Sequence, residues 1–147
     1  NFLYSGLYLN ELILRLLVKE VTQPQIYSAY HATLIALSKQ QDIEHSLREF
    51  EISLLEELGH GASFEWDVDG GLIVPDWRYH FLPEQGFVSR VDGQFLGQSL
   101  INIAKRDYCD KITRYHAKLY TRQALAPLLG NKPLYSRALF TRPNNVN

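Results

Sequence analysis

Methionine is absent from this 147-residue chain, and cysteine occurs once. Without a methionine, Asn1 is not expected to be a natural start, and the chain is expected to be a trimmed piece of a longer one. A lone cysteine can neither close an internal disulfide nor anchor a cysteine-rich zinc site. No uncharged apolar run reaches about 18 residues, so no membrane-spanning helix is expected. The apolar opening segment carries Glu11 and Arg15 inside it, unlike the core of a signal peptide. The expected compartment is therefore the cytoplasm. HExxH, GxSxG, phosphate-loop and dinucleotide fingerprints are all missing. The five histidines show no paired H-x3-H spacing and read as structural or surface residues.

The composition that remains, 46% hydrophobic and 21% charged, is that of one ordinary globular domain large enough to bury a core. A net charge of −1 conceals a strong polarity. Residues 1–104 hold 6 basic and 14 acidic side chains, a net −8, whereas residues 105–147 hold 9 basic and 2 acidic, a net +7. Such segregation favours a polyanion or an acidic peptide as a partner of the C-terminal third, against a chance arrangement of solvated faces.

Periodicity predicts a mainly α fold, a helical bundle with a small antiparallel β insert. Tyr4 to Glu20 reads as a helix apolar around most of its circumference, with a narrow wet strip of Glu11, Arg15 and Lys19, and is expected to be the buried central element. Thr22-Gln23-Pro24 opens a second helix with Ile26, Tyr27, Tyr30, Leu34 and Leu37 on its apolar face. Asp42 caps a third, faced by Ile43, Leu47, Phe50, Leu54 and Leu58 and ended by Gly59. The texture changes over about 62–96. Phe64, Trp66 and Val68 alternate with acids, Gly70-Gly71 turns the chain, and Tyr79-His80-Phe81 and Phe87-Val88-Ser89 flank a Pro83-Glu84-Gln85-Gly86 turn as a hairpin. Helix returns from Gly97 to about Asp107, and Asp110 caps a final helix closed by Gly130. The whole, 1–147, is expected to be one domain.

On the final helix, Lys111, Arg114, Lys118 and Arg122 fall within about 80° of one another, while Ile112, Leu119 and Ala126 are expected to face the core. Lys132, Arg137 and Arg142 continue the basic theme. A ridge of this kind neutralises phosphates or peptide carboxylates. Arg48 lies beside the apolar face of the third helix, where it could fork onto a partner's carboxylate or pair with Glu44 or Glu51. Cys109 has Lys105, Arg106 and Lys111 close in sequence, which would lower its pKa, and His116 stands seven residues on. Asp110 is expected to break any continuous helix between the two, which argues against hydrolysis by that pair. Asp67-Val68-Asp69-Gly70-Gly71 begins like a calcium loop, but its glycine comes too early and Arg78 stands where the closing glutamate belongs, so it reads as a turn.

Three segments in order resemble the C-terminal domain of the bacterial RecO family: Tyr8-Leu9-Asn10-Glu11-Leu12, then Arg48-Glu49-Phe50-Glu51 through Leu54-Leu55 to Leu58-Gly59-His60-Gly61, then Leu129-Gly130-Asn131-Lys132-Pro133-Leu134-Tyr135-Ser136-Arg137. The likeness covers nearly the whole chain and is nearest to proteobacterial members. It implies a non-enzymatic recombination mediator of the RecF pathway of DNA repair, cytoplasmic and nucleoid-associated. Such proteins join an N-terminal OB-fold, absent from this chain, to this helical domain. The implied partners are RecR, single- and double-stranded DNA, and the acidic tail of single-strand DNA-binding protein, with annealing and RecA loading as outcomes. By residue, the resemblance carries over to Arg48 at the tail site, with Ile52 and Leu55 as walls, to basic positions at Lys118 and Arg122, and to Lys132 and Arg137 of the ending motif. With the charge pattern added, Arg114 and Lys118 are expected as further tail contacts, and Lys111, Arg122, Lys132 and Arg137 as nucleic-acid contacts. Some relatives hold zinc on four cysteines in the middle insert; residues 60–100 contain none, so no metal or other cofactor is expected, and packing by Phe64, Trp66, Trp77 and Phe87 is expected instead. The alternative is a generic nucleic-acid-binding or scaffold helical domain.

Overall fold

Helix α1, Phe2–Leu17, buries Ser5, Tyr8, Leu9 and Leu12, a spacing of three and four residues that places all four on one face. Leu7 and Leu14 lie outside that face and are exposed, so α1 is half-wet and is not the all-round buried helix its composition predicts. The structure, a computed structural model, describes residues 2–17, 28, 30–35 and 42–130. They divide into two compact units, one spanning residues 1–57 together with the last turn of the final helix, the other Leu58–Pro127. Much of the predicted second helix lies outside the described residues; the part within them, 30–35, is helical.

In the first unit α1 packs against α2, Ile43–Glu57. Asp42 caps α2 as predicted: its Oδ1 accepts from the His45 N–H at 3.1 Å, and its carbonyl accepts from the Ser46 N–H at 3.1 Å. Leu47, Phe50, Leu54 and Leu55 form the buried stripe, and the Tyr30 ring tilts against Phe50 with centroids 6.4 Å apart. Beyond α2 the chain turns at Gly59, whose φ of 81° is costly for any residue with a Cβ.

The second unit holds a three-stranded antiparallel sheet in the order β2-β1-β3, made of β1 (Arg78–Leu82), β2 (Gly86–Ser89) and β3 (Phe95–Leu96). The hairpin has the predicted turn, with Tyr79 opposite Ser89 and Leu82 opposite Gly86. Glu84 takes a φ of 67° there, and its carboxylate is held by His60 Nδ1 at 2.7 Å. Before the sheet, the 65–73 ribbon closes through a Trp66–Leu72 bridge, and Asp67 Oδ1 accepts the N–H groups of Asp69 and Gly71 at 2.9 and 3.0 Å. That carboxylate is spent on its own turn.

Two further helices, α3 (Gly97–Ala104) and α4 (Lys111–Leu129), complete the unit. α3 stops three residues before its predicted end. Arg106 adopts a φ of 56°, its N–H bonds the Ile103 carbonyl at 2.9 Å, and the Asp107 N–H bonds the Asn102 carbonyl at 2.9 Å, a Schellman stop without glycine. At the centre of the unit the Tyr120 ring makes edge contacts with Phe64 at 4.8 Å and Phe81 at 5.2 Å, and Phe87 sits tilted against Phe81 at 5.4 Å and edge-on to Phe95 at 5.3 Å. Trp66 and Trp77, expected in this cluster, are both about half exposed, and Tyr120, Phe81 and Phe95 take their place. Among the described residues, no helix is long and apolar enough to cross a membrane.

Candidate nucleic-acid and peptide interface

Asp110 starts α4 by capping three groups: the N–H groups of Ile112 and Thr113, each at 3.3 Å, and the Thr113 hydroxyl at 3.0 Å. Those bonds favour the carboxylate and hold its pKa below the usual range, the Ile112 N–H contributing most. From this cap the helix buries Thr113, His116, Ala117, Tyr120, Thr121, Ala124 and Leu125. Ile112, Leu119 and Ala126, predicted to face the core, lie off this face. Ile112 is 52% and Tyr115 64% exposed, and Ala126 is also exposed. The reason is that the hydroxyls and the imidazole of the buried face find local partners: Thr113 accepts from Asn102 Nδ2 at 3.0 Å, His116 Nδ1 meets Ser99 Oγ at 2.7 Å, and Thr121 donates to the Lys118 carbonyl at 3.2 Å.

The rotation puts an apolar strip, Ile112, Tyr115 and Leu119, beside the cations of the predicted ridge. Lys111 and Arg122 are exposed and Lys118 is half-buried, and none of the three forms a salt bridge among the described residues. Arg114 is different. Its Nη1 donates to the carbonyls of Tyr108 at 2.8 Å and Cys109 at 3.0 Å, so the guanidinium stitches the α3–α4 loop to the helix while its charge adds to the ridge. Lys132 and Arg137 lie outside the described residues.

Arg48, Ile52 and Leu55 sit on α2, in the other unit. Arg48 Nη1 pairs with Glu51 Oε1 at 2.8 Å, and the two residues are only 7% and 2% exposed. Tyr8 donates its hydroxyl to the other oxygen of Glu51, a link from α1 that no local spacing foretells. The intrahelical salt bridge to Glu51, one of the two alternatives for Arg48, is thus made. Ile52 and Leu55 are closed inside the packing.

The thiol of Cys109 moves opposite to expectation. Its neighbour Asp107, bonded to the Cys109 N–H at 3.1 Å, holds it above the ordinary thiol range through a hydrogen bond from the thiol and through its negative charge, outweighing the opposing influence of Arg114. A thiol so held is a poor nucleophile, and His116 is committed to Ser99. His60 pairs with Glu84 at 2.7 Å and His80 with Asp92 at 3.3 Å. Among the described residues no three His, Cys, Asp or Glu side chains are grouped to hold a metal.

His116 also yields a pH prediction. Burial, then the charge of Arg78, pushes its pKa below the ordinary histidine value. Above about pH 6.5, the unfolded-chain value, both states are neutral there and its contribution to stability is complete. As pH falls from that value through the lower folded pKa, the unfolded chain takes up a proton that the folded chain resists, so stability drops. The urea midpoint, followed by far-ultraviolet circular dichroism, is expected to fall more between pH 7.5 and 5 in the unsubstituted chain than in His116→Gln. Equal slopes would show that the Ser99 pocket does not exclude the proton.

The family described as Recombination protein O C terminal matches residues 2–137. The chain belongs to the RecO C-terminal family. It is 47% identical over 141 residues to a DNA repair protein RecO from Pseudomonas aeruginosa, covering 94% of this chain and 60% of that one. Identity is 42% over 144 residues to the protein of that name from Tolumonas auensis, covering 95% and 60%, and 38% over 145 residues to that of Psychromonas ingrahamii, covering 95% and 62%. The chain thus spans about 60% of the length of these RecO relatives. The RecO-type motifs fall on structure with different duties: the Arg48–Glu51 motif makes a buried ion pair, and Gly59 makes the helix stop.

Proposed function

We propose that this RecO-type domain acts in recombinational DNA repair as a docking module that catalyses no reaction itself. It receives the acidic tail of single-strand DNA-binding protein and contributes to DNA binding, strand annealing and RecA loading together with RecR, in the cytoplasm at the nucleoid. The observation that carries this reading is the outer face of α4, where Lys111, Lys118 and Arg122 stand without salt bridges among the described residues beside exposed Ile112 and Tyr115. An acidic peptide with an apolar end needs both kinds of contact, and the ridge offers them on one helix. Lys118 and Arg114 take the tail's carboxylates in this reading. Lys111 and Arg122, with Lys132 and Arg137, meet DNA phosphates. The resemblance adds an OB-fold preceding this domain in the working protein.

The test is fluorescence anisotropy with a labelled acidic peptide ending in proline-phenylalanine and a free carboxylate, at two salt concentrations. Lys118→Ala is expected to weaken binding about tenfold, the worth of one charge-assisted contact. Amidation of the terminus is expected to abolish it. Salt should weaken DNA binding more steeply than peptide binding, since DNA releases condensed counterions. Peptide binding that is absent at high protein concentration, or indifferent to amidation, would remove the tail site from this domain.

A further inference from the structure

The hairpin carries a like-charge pair that its fold does not explain. Tyr79 stands opposite Ser89, and the Arg90 N–H bonds the Arg78 carbonyl at 3.0 Å, so the ladder continues one step further and sets Arg78 directly across from Arg90. Like charges facing each other across antiparallel strands destabilise the pair unless something neutralises them. Among the described residues neither arginine has a salt bridge. Asp92, two residues past Arg90, is taken by His80 at 3.3 Å, and Asp76 lies in the same groove without pairing with either arginine. Arg90 Nη1 instead donates to the neighbouring Ser89 carbonyl at 2.8 Å, which fixes the guanidinium but leaves its charge uncancelled.

Beside this pair stands Trp77, 51% exposed although it is one of the two largest apolar rings in the chain. Its backbone is pinned on both sides: its N–H bonds the Val74 carbonyl at 3.1 Å, and its carbonyl accepts the Gly97 N–H at 2.8 Å. The ring is therefore carried on fixed backbone. Trp77, Arg78, Arg90 and Val91, the last 99% exposed, line one open groove of about 370 Å³ together with Asp76 and Ser89. Gln94 bonds Gln123 of α4 at 2.8 Å, so the turn that follows Arg90 is tied to the helix that bears the basic ridge.

A half-exposed indole on a pinned backbone, beside two uncancelled guanidiniums, suits single-stranded nucleic acid, since each nucleotide offers a flat base to stack and a phosphate to pair. We propose that this groove of the β insert binds single-stranded DNA, with a base stacked on Trp77 and the adjoining phosphates held by Arg78 and Arg90. The surface is distinct from the α4 face, and it selects single strands because a paired base has no free face for the indole. An acidic peptide could satisfy the arginines but gives the exposed indole less to stack on.

The experiment is anisotropy of a labelled oligothymidylate of about ten nucleotides, within the usual footprint of such sites. It is run against the chain, Trp77→Ala, Trp77→Phe, the pair Arg78→Gln with Arg90→Gln, and the α4 pair Lys118→Ala with Arg122→Ala. Trp77→Ala is expected to lose about tenfold in affinity, Trp77→Phe at most about threefold, and duplex binding is expected to stay unchanged in both. The double arginine variant is expected to lose about tenfold and to flatten the salt dependence by roughly 1.4 in log–log slope, the share of two phosphates on a single strand. Circular dichroism should show all of these variants folded. Unchanged oligothymidylate affinity in Trp77→Ala and in the arginine pair, with loss only in the α4 pair, would overturn the groove and leave the docking reading of α4 intact. Loss of acidic-peptide binding with oligothymidylate binding retained would reassign the groove to a peptide and equally overturn the proposal, as would failure of the unsubstituted chain to bind the oligonucleotide.

Discussion

Gly97→Ala is expected to cost at least about 3 kcal/mol and to leave the 58–127 unit unfolded or loosely packed at room temperature. A Cβ added at Gly97 would stand 1.9 Å from the Val74 carbonyl oxygen and 2.9 Å from its carbon. Both are backbone atoms, so no rotamer change relieves the clash. Separation of the two segments would break the bonds that join them, from the Gly97 N–H to Trp77 at 2.8 Å and from the Gln98 N–H to Pro75 at 3.0 Å. Gly93→Ala is expected to behave alike, its Cβ 2.4 Å from the Tyr79 nitrogen. The control is Gly6→Ala on α1, which meets nothing within 4 Å and is expected to be neutral or to gain up to about 1 kcal/mol from helix propensity. Urea melts followed by circular dichroism decide the matter. A Gly97→Ala midpoint equal to the unsubstituted one would mean that the segments are not as close as described.

Removing Glu51 is the second large effect. Glu51→Ala leaves the Arg48 guanidinium buried without its carboxylate and is expected to destabilise the 1–57 unit by about 3–5 kcal/mol. Tyr8→Phe removes one hydrogen bond to the same carboxylate and is expected to cost about 1.5–3 kcal/mol, but almost nothing once Glu51 has gone. Replacing the pair together, Arg48→Met with Glu51→Leu, is expected to restore most of the loss, since similar apolar volume needs no desolvated charge. A double-mutant cycle read from urea midpoints checks all three. If Glu51→Ala costs no more than Tyr8→Phe, the ion pair is not buried as the structure has it.

The boundaries that could be read in advance are those set by chemistry within a few residues of the chain. Asp42 and Asp110 cap helices because a short carboxylate reaches the next N–H groups, and Gly59 and Gly130 end them because both take positive φ. The 79–89 hairpin followed from a proline-led turn between apolar runs. The overestimated end of α3 has the converse cause: the left-handed stop is made by Arg106, a residue that gives no sign of one. The rotation of α4 was illegible for a deeper reason. Its core face is Thr113, His116 and Thr121 among small and aromatic residues, and hydropathy assigns such residues to water. They are tolerated inside because Asn102 and Ser99 come from α3 to meet Thr113 and His116, a pairing that only the tertiary fold supplies. The basic ridge was legible as a charge pattern. That Arg114 holds the preceding loop was not, since carbonyl acceptors carry no residue identity. Arg78 and Arg90 escaped notice because the register that pairs them is not written in either segment alone.

The placement of the two tryptophans has an optical consequence. Trp66 and Trp77 both belong to the 58–127 unit and both are about half exposed when folded, while the 1–57 unit has none. Indole emission therefore reports on one half of the molecule, and unfolding should red-shift it little because the rings already see water. The same signal should respond strongly to whatever settles on those rings, which makes intrinsic emission a poor denaturation readout for this chain and a direct one for ligands of its β insert.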